Sequence, residues 1–151
     1  MRLLILTQKV DKNDDDLGFF HRWILEFSKN FEFVTVIALC VGEYDLPKNV
    51  KVLSLGKENG KSRLKYIFNF YKYIWKERKN YDAVFVHMNQ EYVLLAGLLW
   101  QFMGKKIMLW RNHAKGSFLT RVAVGLSNRV FYTSSQSYTA RFNKAKIMPV
   151  G

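Results

Sequence analysis

The chain has 151 residues, 49% of them hydrophobic and 16% aromatic, and a formal net charge of +12. This length fits a single domain spanning 1–151, and the composition excludes an intrinsically disordered chain. The one cysteine, Cys40, excludes a disulfide framework and favours a reducing, cytoplasmic compartment. Cys40 closes an apolar run, where it is expected to act as buried filler.

No segment reads as a signal peptide or a membrane span. The apolar start is interrupted at Gln8, Lys9 and Asp11, and the longest apolar stretch, 92–100, is far short of the roughly 20 residues that cross a bilayer. We therefore expect a protein that is soluble or bound to a membrane surface. The positive charge suits nucleic acid, an anionic membrane or an acidic substrate, and it does not choose among them.

Short apolar runs alternate with helical patterns, which predicts parallel βαβ units. The expected fold is α/β, a Rossmann-like doubly wound sheet of about six or seven strands. Strands are predicted at 3–7, 34–40, 50–55, 83–87, 106–110, 130–133 and 147–150, and helices at 17–30, 63–79, 91–103, 117–126 and 136–142.

Three of these helices carry specific expectations. Asp16 is a candidate cap for the first, whose apolar face should pack on the sheet. The helix 91–103 is apolar all round and is expected to be deeply buried, with Gly104 ending it. Ser117 is expected to cap the helix that follows it. The packing face predicted for the first helix consists of Phe20, Trp23, Ile24, Phe27 and Phe31.

Ligands of doubly wound sheets bind beyond the carboxyl ends of the strands. Two of the three histidines, His87 and His113, follow predicted strands directly, and His21 lies early in the first helix. Ser134 follows another strand and precedes a predicted helix. These positions are the candidate site, although a loop histidine bonded to backbone and a serine cap are ordinary alternatives.

Four passages resemble the N-terminal domain of the family-4-like glycosyltransferases of the GT-B fold. Residues 81–87, Tyr-Asp-Ala-Val-Phe-Val-His, are similar to that family's fourth strand, and 104–113 to its fifth, a strand that ends in His. Residues 128–134 resemble its sixth strand, and 146–151 the passage into its second domain. Gly18 and His21 fall where the family has its glycine loop and the histidine after it.

The resemblance implies a retaining transfer of sugar from a nucleotide-sugar donor to an acceptor, without a further cofactor. It implies that this chain is the acceptor-binding half, inactive alone, and that a C-terminal half holding the donor is absent. The acceptor class is a lipid-linked or cell-envelope glycan, met in the cytoplasm or on the inner face of the membrane. In two places the sequence departs from the family: Asp16-Leu17-Gly18, preceded by two further aspartates, stands where the family has a Gly-Gly pair, and Val150 replaces an Asn.

His113 is the predicted catalytic residue, because the matching histidine of the family faces the cleft between domains. His87 has a second interpretation as a packed histidine under the sheet edge. The Asp14–Asp16 run is expected to form a solvated turn with a cap, and an acceptor contact at the rim of the cleft or a bound divalent metal are its alternatives. No cluster in the chain has the spacing of a metal site. The predicted substrate-binding residues are Gly18, His21, His87, Asn89, Arg111, Asn112 and Ser134.

The helix 63–79 is unusually rich in aromatic and basic residues. Its expected packing face holds Leu64, Ile67, Phe68, Tyr71, Ile74 and Trp75. We predict a membrane surface made by the remaining aromatics and one row of lysines, with an ordinary amphipathic helix or single-stranded nucleic acid as alternatives. The residues of that predicted surface are Lys65, Lys72, Lys76, Tyr66, Phe70 and Tyr73.

A different class of function stays open beside the enzyme half. The chain would then be a non-catalytic Rossmann-like binding module that docks a separate catalytic partner. A nucleic-acid-binding protein rests on charge alone, because no recognisable reader motif is present.

Overall fold

A computed structural model describes residues 1–148 of the chain, which divides into two compact units, Met1–Asp82 and Ala83 onward. The first unit contains β1 (Arg2–Val10), α1 (Gly18–Asn30), β2 (Phe33–Val41), β3 (Val50–Ser54), a 3₁₀ turn (Lys57–Asn59) and α2 (Arg63–Lys76). The second contains β4 (Ala83–His87), α3 (Gln90–Phe102), β5 (Lys106–Trp110), α4 (Phe118–Leu126), β6 (Arg129–Tyr132), a 3₁₀ turn (Tyr138–Arg141) and β7 (Ala145–Ile147).

The strands of the first unit lie in the order β3-β2-β1 and pair in parallel. Leu3 is opposite Val34, and Val34 is opposite Val50. Five consecutive residues of each of β1 and β2 are buried, most of them apolar, as expected for strands whose two faces are both covered. Phe20 and Ile24 of α1 are buried, as the periodicity of that helix predicts.

The strands of the second unit lie in the order β4-β5-β6-β7, again all parallel. Gly97 lets α3 approach α4 closely, because a Cβ there would meet the Leu126 side chain at 3.0 Å. Gly104 ends α3 with φ +70, the conformation for which glycine is suited. The Rossmann-like parallel α/β fold predicted from the sequence is confirmed.

Several local predictions are wrong. Asp16 does not cap α1, whose N-cap residue is Leu17 and which has no side-chain cap. In the turn before the helix, Asp14 Oδ1 accepts from the backbone N–H groups of Leu17 and Asp16 at 2.7 and 3.1 Å. The helix predicted over 136–142 is a 3₁₀ turn of four residues, in which the hydroxyls of Ser137 and Thr139 donate to the carbonyl of Arg111 at the end of β5. The strand predicted over 147–150 occupies Ala145–Ile147, and 149–150 lie outside the described residues.

The helix α3 is not buried all round. Val93, Ala96 and Trp100 face the core, but Leu98 and Phe102 lie on an exposed face. An apolar composition thus fails to predict burial where no neighbouring element covers the face. Within residues 1–148, no helix has the length and apolar character that would let it cross a membrane.

The helix α2 packs on a different face from the one predicted. Phe70, Ile74 and Glu77, at the end of the helix, are buried, whereas five of the six residues of the predicted packing face are exposed. Phe70 therefore belongs to the core and not to the predicted membrane surface, and Tyr66 and Tyr73 are half-buried. The exposed residues are Leu64, Ile67, Phe68, Tyr71 and Trp75.

The burial of Glu77 explains this rotation. Its carboxylate accepts from Lys51 Nζ of β3 at 2.6 Å and from Asn80 Nδ2 at 2.9 Å. Burial alone would raise the pKa of Glu77, but the hydrogen bonds from Lys51 and Asn80 outweigh it, so the pKa lies below its usual range. A carboxylate with such partners is stable inside the protein, and the helix turns that face inward.

Candidate functional site

A cavity of about 180 Å³ lies in the second unit, where β4 and β5 end. Carboxyl ends of parallel strands are where this class of sheet binds ligands. The lining combines a guanidinium, a carboxylate, an imidazole and side-chain amides, which suits a polar ligand rich in hydroxyl groups. The residues that line it are Met88, Asn89, Gln90, Glu91, Arg111, Asn112 and His113.

The chain leaves β4 through a tight turn centred on Met88. The backbone N–H of Asn89 donates to the carbonyl of His87 at 2.8 Å, and Met88 has φ 67. Residues other than glycine rarely adopt this conformation, which costs free energy on the order of 1–3 kcal/mol and concentrates at binding sites. The turn directs the start of α3 toward the cavity.

His87 lies beneath this turn and does not line the cavity. Its ring is fully buried and stacks on the indole of Trp110, with centroids 5.0 Å apart and an interplanar angle of 23°. Burial lowers the pKa of His87 to about 3, so the ring is neutral at physiological pH. His87 therefore supports the floor of the site, and its predicted contact with substrate would need this stack to open.

The first turn of α3 supplies Asn89, Gln90 and Glu91. The N-terminus of a helix carries partial positive charge, which favours negative charge or hydroxyl oxygens at this end. Gln90 Oε1 is buried and has no hydrogen-bond partner within residues 1–148. Glu91 is exposed, and its charge acts on Arg111 across the cavity.

Arg111 is half-buried at the end of β5. Its guanidinium donates to the carbonyl of Lys115 at 2.8 Å, which curls the loop after β5 around it. Burial lowers the pKa of Arg111, while the charge of Glu91 acts in the opposite direction. The carbonyl of Arg111 accepts from the hydroxyls of Ser137 and Thr139 at 3.1 and 2.7 Å. These bonds hold the strand end in one orientation.

His113 is exposed on this loop and held by backbone on both sides. Its Nδ1 accepts from the backbone N–H of Lys115 at 3.1 Å, and its carbonyl accepts from the N–H of Tyr138 at 2.9 Å. Nδ1 also lies 3.3 Å from the carbonyl oxygen of Lys115, so it accepts from the N–H or donates to the carbonyl according to the tautomer of the ring. In the tautomer whose Nδ1 accepts, Nε2 carries the proton and presents a positioned N–H donor at the cavity.

Asn112 connects two of the predicted loops. Its Oδ1 accepts from the backbone N–H groups of Thr133 and Ser134 at 3.2 and 2.8 Å. Ser134 itself is exposed, does not line the cavity, and accepts from the N–H of Gln136 at 3.3 Å. Its hydroxyl shapes the loop, while Asn112 retains its amide donors for a ligand.

Gly18 and His21 lie in the first unit. A Cβ on Gly18 would meet the carbonyl of Lys12 at 3.3 Å, so the glycine allows the loop after β1 to fold closely. His21 is buried, and its Nε2 accepts from the backbone N–H of Asp45 at 3.1 Å. Their predicted contacts with substrate stay predictions.

The acidic run before α1 is organised by local bonds. Asp14 pairs with Lys9 at 2.5 Å, while Asp15 and Asp16 are exposed. Hydrogen bonds from Lys9 and from the backbone of Leu17 lower the pKa of Asp14. This geometry agrees with the solvated-turn interpretation of the run.

Three lining residues, Met88, Gln90 and Glu91, were not predicted as ligands. The available signal was their position, directly after a strand that ends in His87 and at the start of a helix. The positive φ of Met88 leaves no mark in the sequence, since positive φ is typical of glycine and uncommon for a residue such as methionine.

No family model and no curated protein matches the chain. Solved structures do match it. UDP-GlcNAc 2-epimerase from Methanocaldococcus jannaschii superposes with a TM-score of 0.60 and 14% identity, over 97% of this chain and 45% of its own. The lipopolysaccharide outer core galactosyltransferase WaaB superposes with a TM-score of 0.56 and 14% identity, over 90% of this chain and 40% of its own. MurG from Acinetobacter baumannii superposes with a TM-score of 0.57 and 11% identity, over 95% of this chain and 44% of its own.

The chain thus spans less than half the length of each of these structures. Sequence identities this low support a shared fold and no further shared property. The narrower family-4-like assignment stays a prediction. The comparisons and the strand pairing agree on a Rossmann-like parallel α/β fold, which this chain shares with the GT-B glycosyltransferases WaaB and MurG.

Proposed function

We propose that this chain is the acceptor-binding domain of a glycosyltransferase. The enzyme would transfer a sugar from a nucleotide-activated donor, with retention at the anomeric carbon, to a glycan acceptor. The single observation that supports this most is the cavity at the ends of β4 and β5, whose polar lining lies on a fold shared with a galactosyltransferase and a UDP-GlcNAc epimerase.

The chemistry of the lining favours a saccharide. Sugar hydroxyl groups form hydrogen bonds with side-chain amides, carboxylates and guanidinium groups. Asn89, Glu91 and Arg111 supply one group of each kind. A cavity of about 180 Å³ suits about one sugar ring and not a complete nucleotide sugar. The nucleotide would be held by a second domain, on the same polypeptide or on a partner.

In this proposal His113 is the catalytic residue and acts in the tautomer whose Nδ1 accepts from Lys115 and whose Nε2 carries the proton. In the reaction a bond forms between the acceptor oxygen and the anomeric carbon as the bond from that carbon to the donor phosphate breaks, and the hydroxyl proton passes to the departing phosphate. Negative charge develops on the departing phosphate. The Nε2–H of His113, fixed by the bond from Lys115 to Nδ1, is a donor that can meet this charge without reorganisation.

The proposal is tested on the isolated chain by NMR. Titration with simple glycosides should shift the imidazole signals of His113 and the side-chain amide signals of Asn89, while a UDP-sugar should bind no tighter than the millimolar range. An Asn89→Ala variant should lose the response, and Ser134→Ala, which alters a neighbouring loop outside the cavity, should keep it. Micromolar binding of the nucleotide sugar by this chain alone would contradict the proposal that a second domain holds the nucleotide.

A second function, a non-catalytic module that docks a catalytic partner, is favoured by one observation. Leu98 and Phe102 of α3 are 71% and 92% exposed, and Leu95 lies on the same face. A contiguous apolar face of this kind commonly marks a protein interface. Glycosides that bind only after such a partner is added would favour this module over the enzyme domain.

A further inference from the structure

The helix α2 carries an apolar stripe on the side that faces away from its packed residues. Leu64, Phe68 and Trp75 are 81%, 69% and 55% exposed, and Ile67 and Tyr71 are also exposed. The spacing, with steps of three and four residues, places all five along one side of the helix. We call Leu64, Ile67, Phe68, Tyr71 and Trp75 the outer stripe.

A row of lysines runs beside the outer stripe. Lys65, Lys72 and Lys76 are exposed and follow each other at spacings of seven and four residues, which keeps them on one flank. At the end of the helix, the guanidinium of Arg78 lies 4.5 Å from the centre of the Trp75 ring. Cations thus border the apolar surface along its length and at its end.

The charge of this segment has one sign. Between Gly60 and Lys76 the sequence has five basic residues and no acidic residue. The next carboxylate, Glu77, is buried and paired with Lys51, so it does not offset the lysines at the surface. Any occupant of the outer stripe must therefore be apolar at its centre and negative at its edge.

We propose that the outer stripe and its lysines dock the protein on an anionic lipid surface. Tryptophan and tyrosine place rings at the boundary of the acyl chains, and lysine stems extend along apolar surface while their ammonium groups reach lipid phosphates. A second copy of the chain is disfavoured as the occupant, because two copies of the segment 61–76 would bring ten basic groups together without a carboxylate between them.

This docking surface differs from the one predicted from the sequence. The lysine row is the same, but the aromatic part consists of Phe68, Tyr71 and Trp75 in place of Tyr66, Phe70 and Tyr73. The inference does not depend on the proposed glycosyltransferase function, because it uses only the composition and exposure of α2.

The experiment is co-sedimentation of the chain with sonicated vesicles of phosphatidylcholine alone and of phosphatidylcholine with 30% phosphatidylglycerol. We expect binding to the anionic vesicles that falls as salt is raised, and little binding to the neutral ones. Changing Lys65, Lys72 and Lys76 to Glu should lower partitioning at least 100-fold, since each basic contact contributes about 1 kcal/mol. The charge-matched control changes exposed Lys48, Lys106 and Lys146 to Glu and should lower it far less.

The apolar part is tested by a matched pair of double variants. Leu64→Ser with Phe68→Ser should lower partitioning about 10-fold or more, because both side chains lose apolar area that lipid would bury. Leu98→Ser with Phe102→Ser removes equally exposed side chains from α3 and should bind as the parent does. Since all four residues are exposed, folding should persist, and circular dichroism checks it.

Fluorescence gives an independent readout. Anionic vesicles should shift the emission of the parent to shorter wavelength, and Trp75→Phe should lose that shift while still sedimenting. Equal binding of the parent to neutral and anionic vesicles, or unchanged binding of the two α2 variants, would overturn the proposal. So would a concentration-dependent dimer, seen by ultracentrifugation without lipid, that Leu64→Ser with Phe68→Ser abolishes.

Discussion

The imidazole of His87 stacks on the indole of Trp110, with ring centroids 5.0 Å apart. The stack lies beneath the strand-end cavity and fixes the last residues of β4 and β5 against each other, where they are paired in register. The support of the site is therefore an ionisable ring held neutral by burial.

We expect this ring to make the protein sensitive to acid. The pKa of His87 is about 3 in the folded state, below the roughly 6.5 of an unfolded chain. Its contribution to the free energy of unfolding is therefore complete above pH 6.5 and is lost as the pH falls toward 3, by about 1.4 kcal/mol per pH unit. Urea unfolding at pH 7.5 and 5.0 should show a smaller loss for His87→Phe than for the parent. A parent-like loss in that variant would refute the assignment, and exposed His113→Ala is the control.

The pair Glu77–Lys51 gives a second acid-dependent prediction. Because the pKa of Glu77 is below its usual range, this group stabilises the fold above the ordinary carboxyl pKa of about 4.3 and loses that effect as the pH falls below it. Glu77→Gln should lower the free energy of unfolding at pH 7 by about 1–3 kcal/mol. The exposed pair Lys12–Glu43, whose Nζ and Oε1 atoms are 2.7 Å apart, is the control: Glu43→Gln should change the free energy of unfolding far less, because solvent screens this pair.

Asn112 should act through its acceptor oxygen. Asn112→Ala removes both hydrogen bonds from Thr133 and Ser134 and should lower the free energy of unfolding by about 1–2 kcal/mol. Asn112→Asp keeps the acceptor and should lie close to the parent. Denaturant midpoints measured side by side test this, and equal losses in the two variants would argue against the bonds.

Replacing either of two glycines by alanine should change the stability of the protein, in opposite directions at the two positions. A Cβ on Gly116 would overlap the ring of Tyr138, whose hydroxyl is held by Arg121 at 3.0 Å, so Gly116→Ala should cost about 1–3 kcal/mol. Gly125 lies inside α4 with nothing within 4 Å of the new methyl group, and Gly125→Ala should stabilise by about 0.4–1 kcal/mol. Thermal melts of the two variants decide both signs.

His113→Ala tests the proposed catalytic role in the complete enzyme. Loss of one preorganised donor typically lowers turnover by about 100–1,000-fold. Stability should change by about 0.5 kcal/mol or less, because His113 is exposed. Ser134→Ala, outside the cavity, should leave turnover near the parent value. Full turnover together with a lower denaturant midpoint would make His113 structural.

The strands that flank the site follow from local sequence. β4 and β5 have the bounds predicted for them because each is a short apolar run between polar residues. The packing of α2 does not follow in the same way. Its most regular apolar row faces outward, and its buried face includes Glu77, whose partner Lys51 lies 26 residues away in the chain. The spacing of apolar residues along a helix shows which side chains are polar, but it cannot show that a carboxylate has a partner far away in the chain.

The sequence predicts some residues of the candidate site correctly but not the contacts that bury the others. The rule of strand ends finds Asn89, Arg111, Asn112 and His113, all of which line the cavity. It cannot say that His87, the last residue of its strand, is covered by Trp110, because that contact depends on the register of β4 against β5. Ser134 is likewise at a strand end, but a short 3₁₀ turn after it replaces the predicted helix.

The carbonyl of Arg111, which accepts from both Ser137 and Thr139, has a thermodynamic consequence for binding. A peptide group held by two buried hydroxyls has little conformational entropy left to lose. A ligand that enters the cavity would then order few additional backbone torsions in this loop, and more of its contact energy would appear as affinity. Removal of both hydroxyls should therefore make the entropy of association less favourable, even where every group that touches the ligand is retained.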